Sequence, residues 1–439
     1  MPAAHLRLRA GGPDRHRALP LRLRPRPRDR VRGPVQEVSP LAGPGAGAGR
    51  DDAVPEGEPR GPGARARARR EDVRPLRRGA GRRERAGLLV AVSRERERNV
   101  VEIGLFTEFE WRPGADEAQA FADSLAQMTA AEDLGYDAVW LAELHFQKER
   151  SVLSSPLVVG AAIAARTKRV KIGLAVQVLP LSHPLRLAED VATLDHVSRG
   201  RLDFGVGRSG LPAHYTGFNI PYSESQERFD ETLEILLKAW TEDRFTFEGK
   251  YFQFRDVCTV PKPYQKPHPP LRIAAVTDDS SSAVGRRGRP IFLAVRTSSI
   301  SELKRFVVSY HAGWREAGHP GPGEVDVIVP VYVSDTERRA REETEVSTMH
   351  FYRSIGEALL DGPRRAVGER IRRMSFDDVL REFAVYGTPE SVIERLQALR
   401  EALGYSKLCV WMNVGSRVPP ERVLASMRLF AERVAPRLG

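Results

Sequence analysis

Eight short apolar runs alternate with longer, helix-forming segments, and this alternation restricts the possible folds of the chain more than any other feature. The runs are residues 101–106, 137–142, 170–179, 202–207, 271–276, 290–295, 325–333 and 407–413. Parallel strands that are buried on both faces read as continuous apolar runs, whereas half-exposed strands alternate polar and apolar residues. The sequence therefore predicts a series of strand–helix units that build a parallel sheet.

The segments between these runs carry the signals of helix ends. Residues 115–135 have apolar residues at helical spacing and end on a glycine, which is a common C-terminal stop. Ser155 and Pro156 open the next helix as its cap and its first turn. Residues 224–242 are strongly amphipathic, and residues 245–254 read as a hairpin inserted before the fifth strand.

Two parallel architectures fit eight such units. We predict the TIM (β/α)8 barrel, an α/β fold, because it is the most economical closure of the sheet. A doubly wound open sheet is the alternative, and it would place a glycine-rich dinucleotide loop directly after the first strand. Residues 107–111 at that point read TEFEW and contain no glycine. The barrel is therefore favoured.

The first hundred residues differ in composition from the rest. They contain 25 Arg, no Lys and 12 acidic residues, a formal charge of +13, whereas the whole chain carries +11. They also lack Phe, Trp, Tyr, Ile, Thr and Cys, and so lack the apolar surface whose burial offsets chain entropy. We predict a disordered Arg/Gly/Pro-rich extension over residues 1–98 and a single folded domain over residues 99–439.

Three interpretations of this extension are open. An Arg-rich arm could bind the phosphates of a nucleic acid, and a transit peptide is also rich in Arg. The acidic residues and the near absence of Ser argue against a transit peptide. The favoured interpretation is translated upstream sequence, because Arg, Gly, Pro and Ala all have GC-rich codons. We therefore base no function on this charge and expect no nucleic-acid partner.

Metal and membrane functions find little support in the sequence. Cys258 and Cys409 are too few for a zinc cluster, and no His-Glu-x-x-His pattern occurs. Charged residues make up 29% of the chain, which does not suit a membrane bundle. We expect no metal site, no membrane partner and a cytoplasmic location.

In a TIM barrel, reactive residues lie at the carboxyl ends of the strands. The polar and aromatic candidates there are Glu143, His145, Phe146, Gln177, His183, Arg208, Thr277, Asp278, Asp279, Ser280 and Ser281. Hydroxyls and free amides at the start of the helix after residue 276 suit an anion. Arg208 and Arg228 could add bidentate contacts to a phosphate, although each arginine alone also suits a surface ion pair. Together they predict a phosphorylated ligand.

Six sequence motifs follow one another along the folded part of the chain. They are GYDAVWLAE at 135–143, LPLSHPLR at 179–186, EDV at 189–191 with SRGR at 198–201, PKP at 261–263 with PHPP at 267–270, GTPE at 387–390 and ASMRLF at 425–430. In sequence and order they resemble the bacterial luciferase-like flavin-dependent monooxygenases, over residues from about 100 to 438. The resemblance implies a TIM-barrel enzyme that uses reduced FMN and O2 to oxygenate a small organic substrate.

The resemblance also assigns cofactor contacts. The implied cofactor-binding residues are Ala175, Val176, Arg208, Arg228, Thr277, Ser280 and Ser281. The arginines and hydroxyl groups would hold the flavin phosphate, which agrees with the anion site expected from the residues themselves. Ala175–Val176 falls where the family has a non-proline cis peptide bond under the flavin ring.

His145, with Glu143, is the expected catalytic pair. The two residues stand two apart at a strand end, so both can face the barrel mouth while Leu144 packs sideways. Histidine is a common carrier of protons in catalysis. Luciferase alpha chains have two successive histidines at this point, and the first of these positions is Leu144 here. Their reactive cysteine is replaced by Gly207, so the resemblance supports flavin binding rather than efficient light emission.

The partners follow from the same resemblance. A separate flavin reductase is expected to supply the reduced FMN, because the sequence contains no visible nicotinamide-binding module, and we expect a homodimer. Two alternatives stay open, namely a deazaflavin-dependent oxidoreductase of the same barrel superfamily and a non-catalytic flavin-binding barrel. Residues 336–383 are long, rich in Arg and Glu, and broken by Gly362 and Pro363, which predicts a mobile excursion at the barrel mouth.

Overall fold

The computed structural model describes residues 101–148 and 150–438, and its strands close into a parallel barrel. The strands are β1 Glu102–Thr107, β2 Ala138–Leu141, β3 Lys171–Val178, β4 Leu202–Gly207, β5 Phe245–Glu248, β6 Gln253–Val257, β7 Leu271–Ala274, β8 Ile291–Ala294, β9 Val325–Val333, β10 Val385–Gly387 and β11 Lys407–Trp411. The predictions for residues 1–98 concern residues outside this description.

Eight of these strands form the barrel wall. Strands β1, β2, β3, β4, β7, β8, β9 and β11 pair in parallel in this order, and β11 pairs with β1 to close the ring. Each apolar run found in the sequence overlaps one barrel strand. The predicted TIM barrel is therefore confirmed, and the open doubly wound sheet is wrong.

Helices connect the strands on the outside of the barrel. They are α1 Glu117–Asp133, α2 Pro156–Arg166, α3 Pro184–Ser198, α4 Pro212–Gly217, α5 Ser225–Thr241, α6 Asp278–Arg286, α7 Ile300–Glu316, α8 Glu337–Ala358, α9 Arg365–Arg372, α10 Phe376–Glu382, α11 Pro389–Leu403 and α12 Pro420–Leu429. Short 3₁₀ turns cover Leu179–Leu181, Tyr222–Glu224 and Ala435–Arg437, and a π-helical turn covers Phe430–Val434. No helix of the described ranges has the length and apolar character needed to cross a membrane.

The barrel interior is filled around Trp140 on β2. Its indole ring stacks on Phe292, with 5.1 Å between ring centroids. A methyl group at Gly104 or Gly173 would come within 2.5 Å or 2.1 Å of the indole ring, so glycine on both neighbouring strands makes room for it. Trp140 is thus core packing, and its size explains the glycines at positions 104 and 173.

A layer of charged residues lies at the amino ends of the strands. Arg272 donates from Nε to Asp203 at 2.7 Å and also contacts Asp326, and all three residues are buried. Lys407 lies 3.5 Å from Asp203 and donates to Glu102 at 2.5 Å. Each of these residues is the first or second residue of its strand, so the strand register brings them together.

The segment between β9 and β11 is an excursion rather than a single helix. It contains α8, α9 and α10 and returns through β10, which pairs with the last residues of β9, Val331 to Val333. Arg364 donates to the Thr297 hydroxyl at 2.9 Å and so ties the excursion to the loop after β8. The position of the excursion at the carboxyl end of the barrel agrees with the sequence, and its mobility stays a prediction.

Candidate functional site

The carboxyl ends of the barrel strands carry the polar residues from which the candidate site is built. Following their strands, they are Glu108 and Glu110 after β1, Glu143 and His145 after β2, Gln177 within β3, Arg208 after β4, Thr277 after β7 and Arg296 after β8. All parallel strands of a barrel end on the same face. These side chains therefore surround one mouth.

Glu143 and His145 form a hydrogen-bonded pair at this mouth. The distance from His145 Nε2 to Glu143 Oε1 is 2.8 Å. The second carboxylate oxygen accepts from Gln177 Nε2 at 2.6 Å and from the backbone N–H of Val178 at 2.7 Å. Leu144 between them is buried in the core. The alternation inferred from the sequence is thus the geometry of the strand end.

Burial raises the pKa of the Glu143 carboxyl, while its contacts with His145 and Val178 oppose this shift. Because burial has the larger effect, the Glu143 carboxylate takes up a proton more readily than a carboxylate in water does. The pair can therefore hold a proton between a carboxyl and an imidazole at the mouth, which is the arrangement that general acid–base chemistry requires.

His145 stands in an aromatic enclosure that the sequence did not reveal. Its ring centroid is 4.8 Å from that of Phe218, 5.9 Å from that of Phe146 and 5.7 Å from that of His214. Burial, together with the charges of His145, Arg150 and Arg296, lowers the pKa of His214 to about 4. His214 is therefore neutral at physiological pH, and it lies on the short helix α4, where no sequence pattern marked it.

The peptide bond between Ala175 and Val176 is cis, at the position that the resemblance indicated. It interrupts the pairing of β3 with β4, whose register shifts between Leu174 and Gln177. A methyl group at Gly207 would come within 2.4 Å of Val176, so the end of β4 needs a residue without a side chain. The glycine at position 207 therefore leaves room for the Val176 side chain.

Arg208 and Arg228 lie on the connection from β4 into α5. Arg208 donates from Nη1 to the Ser225 hydroxyl at 3.0 Å, and its carbonyl accepts from Tyr215. Arg228 donates from Nε to Glu224 at 2.8 Å and stacks over Tyr251 of the hairpin, 4.3 Å from the ring centroid. Both guanidinium groups keep donors beyond these bonds, because each carries five N–H groups.

Thr277 caps the amino end of α6 in a capping box with Ser280. The Thr277 hydroxyl accepts from the backbone N–H of Ser280 at 3.2 Å, and the Ser280 hydroxyl accepts from the Thr277 N–H at 3.1 Å. Ser281 is fully buried and donates to the Thr277 carbonyl at 2.8 Å. Asp278 is 3.3 Å from Arg305, which compensates its charge.

The remaining sequence candidates lie outside this arrangement. His183 is exposed at the start of α3, against the hairpin residues Phe252 and Phe254 at 6.0 Å and 5.8 Å. Asp279 is exposed on α6. Among the described residues, no group of three or more His, Cys, Asp or Glu side chains is placed to hold a metal ion. Cys409 is buried in β11, and Cys258 is exposed.

A second charged cluster, which the sequence analysis missed, adjoins the Glu143–His145 pair. Arg150 donates from Nε and Nη2 to the two oxygens of Glu108, at 2.7 Å and 2.5 Å. Arg296 approaches the same carboxylate to 3.8 Å. Burial alone would raise the pKa of Glu108, but Arg150 and Arg296 hold it below its ordinary value. The three residues are separated along the chain, so only the fold brings them together.

Comparisons with known proteins identify relatives of the folded part of the chain. A model of the luciferase-like monooxygenase family matches residues 101–406. The alkanal monooxygenase alpha chain of the Kryptophanaron alfredi symbiont is 27% identical over 329 residues, covering 70% of this chain and 90% of that protein. The oxygenase component of the flavin-dependent trigonelline monooxygenase of Acinetobacter baylyi is 25% identical over 331 residues, covering 72% and 90%.

A solved structure extends the similarity to three dimensions. The monooxygenase RslO1 from Streptomyces bottropensis superposes with a TM-score of 0.68 at 28% sequence identity, and the match covers 77% of this chain and 100% of that chain.

Proposed function

The chain belongs to the luciferase-like monooxygenase family, and on this basis we propose that it is an FMN-dependent monooxygenase that uses reduced flavin and O2 to oxygenate a small organic substrate. The observation that carries the proposal is that Arg208, Thr277 and the hydrogen-bonded Glu143–His145 pair all follow barrel strands at the same mouth. We propose that the first two residues belong to an anion-binding set. This set suits the flavin phosphate, and the pair suits the transfer of a proton.

The residues at the start of α6 fit a phosphate. A helix amino end carries partial positive charge and free backbone N–H groups, both of which favour an anion. We propose that Thr277 and Ser280 contribute hydroxyl donors. Ser281 holds the Thr277 backbone in place by donating a hydrogen bond to its carbonyl. Arg208 and Arg228 would complete the set. Arg228 would then give up part of its contact with Glu224 and donate hydrogen bonds to the phosphate instead.

We propose further that Ala175 and Val176 form the wall against the flavin ring, since Gly207 leaves the space beside Val176 clear of other side chains. Reduced FMN, when bound, would supply the electrons that activate O2. The share of the protein is to hold the flavin, to exclude water and to move a proton through the His145 imidazole, which Glu143 positions by its contact with Nε2.

A two-component system is part of the proposal. The name of the Acinetobacter relative describes an oxygenase component, which supports a separate reductase as the source of reduced FMN for this chain as well. The expected homodimer and the cytoplasmic location stay predictions.

Replacing Arg208 or Arg228 with alanine should weaken FMN binding by about 1–3 kcal/mol, because a hydrogen bond to a charged group is lost. Riboflavin has no phosphate, so its affinity should change far less. Arg287→Ala is the control. Arg287 follows the carboxyl end of α6, opposite to Thr277, and pairs with Asp230 of α5. Fluorescence titration of both ligands measures the difference. Equal losses for FMN and riboflavin would mean that the arginines act only on the fold.

The excursion between β9 and β11 should respond to ligand. In the free protein, trypsin should cut near Arg372 and Arg373, which are exposed, and near Arg364 and Arg365. We propose that this segment closes over the bound flavin and substrate and shields them from water. FMN or substrate should then slow cleavage, as followed by mass spectrometry of the fragments. Cleavage rates that are indifferent to both would leave the excursion without a gating role.

A further inference from the structure

The cluster of Glu108, Arg150 and Arg296 carries a surplus positive charge. Two guanidinium groups face one carboxylate. The neighbouring Glu110 forms no ion pair with either guanidinium among the described residues. Its oxygens accept from Trp411 and Thr107 instead, and burial raises the pKa of its carboxyl. Burial and repulsion from Arg150 lower the pKa of Arg296 to about 10, so it stays charged at neutral pH. One positive charge therefore has no counter-ion among the described residues.

Several buried polar atoms near this cluster have no hydrogen-bond partner among the described residues. They are Arg150 Nη1, Arg296 Nε, Tyr352 Oη and His214 Nε2. The charges of Arg150 and Arg296 act on His214, and that of Arg296 acts on Tyr352, so these groups are neighbours. Buried donors are normally paired, because leaving one unpaired forfeits its hydration. Unpaired donors around a surplus charge indicate that an anionic acceptor belongs there.

The surroundings suit a flat apolar body attached to that acceptor. Arg150 and Arg296 both lie over the Phe351 ring, at 5.2 Å and 5.9 Å from its centroid. A cavity of about 310 Å³ adjoins Arg150 and is lined by Phe146, Phe351 and Ile355 and by polar residues that include Lys148 and Ser416. The cavity therefore extends from Arg150 to Phe146, which lies beside the His145 ring.

We propose that Arg150 and Arg296 bind the carboxylate of the substrate and that the substrate is an aromatic or conjugated carboxylic acid, whose body packs against Phe351 and Phe146. This inference rests on the proposed function, because it makes the cavity the substrate site. A carboxylate matches the single surplus charge and the planar fork of a guanidinium, whereas a phosphate ester would bring a second negative charge. The site is separate from the residues proposed for the flavin phosphate, which follow β4 and β7.

The probe is 2-naphthoate, compared with its neutral isostere 2-naphthamide, in ligand-observed NMR titrations of the full chain with and without FMN. The wild-type protein should bind the acid about tenfold or more tightly than the amide, as for hydrogen bonds to a charged group. Arg296→Met should remove this preference and leave FMN affinity unchanged. Arg353→Met, an exposed arginine on α8, should retain it.

Glu108→Gln provides a second variant in case Arg296→Met does not fold. It removes the one counter-ion, so it should strengthen binding of the acid and leave the amide unaffected, which a purely structural role for Glu108 does not predict. Equal binding of acid and amide by the wild type, no binding of either, or a preference that survives Arg296→Met would overturn the proposal. If FMN fails to bind while the acid preference persists, the cofactor assignment falls and the carboxylate site stands.

Discussion

The His145→Ala variant is expected to turn over about 10²–10⁴-fold more slowly than the wild type, which is the usual cost of losing a general acid or base. His145 Nε2 is 2.8 Å from Glu143 Oε1 at the mouth of the barrel. The imidazole is the group there that can pass a proton, and the buried carboxyl positions it. Because the proposed phosphate contacts lie elsewhere, FMN affinity should hardly change. The rate is measured as oxygenated product formed at saturating reduced FMN.

Two controls sharpen this result. Leu144→His should not rescue the His145→Ala variant, because the side chain at position 144 is buried away from Glu143. His319→Ala should leave turnover unchanged, since His319 follows α7 and bonds to the carbonyl of Arg286 on the other side of the barrel. If His145→Ala keeps its turnover and loses FMN affinity instead, then His145 is a wall of the flavin pocket and the proton has another source.

The Arg272→Met variant is expected to lose about 3–5 kcal/mol of its free energy of unfolding, because it strips a buried ion cluster of its central cation. Arg272 contacts both Asp203 and Asp326, and all three side chains are almost completely buried. Methionine fills a similar volume, so the loss reports charge rather than a cavity. Urea unfolding measures it. Arg338→Met is the control, as Arg338 forms an exposed pair with Glu342 on α8 and should change stability by less than about 1 kcal/mol.

The Arg272→Met loss should depend on pH with a definite sign. Burial already raises the pKa of Asp326 against the opposing charges of Arg272 and Lys407, and removal of Arg272 raises that pKa further. A carboxyl whose pKa is raised in the folded state stabilises the fold below its unfolded pKa, about 4, and loses this contribution as pH rises. The deficit should therefore be smallest near pH 4 and grow toward alkaline pH. A deficit that shrinks with rising pH would show that the carboxylates are not its cause.

The sequence was sufficient for the barrel because the barrel depends on local patterns. Each barrel strand is built on an apolar run, and several helices begin at a capping side chain, such as Ser299 or Thr388. The charged layer around Arg272 was not predicted, since each member is a single polar residue at the start of an apolar run. A signal did exist, namely that charged residues recur at the first or second position of six barrel strands.

The candidate site, too, was predicted only in part from the sequence. Glu143 and His145 were predicted because they lie two residues apart at one strand end, and such a spacing can be read directly from the sequence. The Arg150–Glu108 contact joins residues 42 positions apart, and Arg296 reaches the pair from another strand end. His214 comes from a helix of six residues with no distinctive pattern. Only the register and closure of the barrel bring these groups together, and neither can be read from a local stretch of sequence.

Anaerobic equilibrium titration of the protein with reduced FMN and with reduced deazaflavin cofactor tests the central claim most directly. The proposed phosphate site predicts saturable binding of reduced FMN and weaker binding of reduced riboflavin. The proposed FMN-dependent monooxygenase further predicts no comparable binding of the deazaflavin. Tight binding of the deazaflavin without binding of FMN would contradict the proposed monooxygenase and assign the chain to hydride transfer without oxygen.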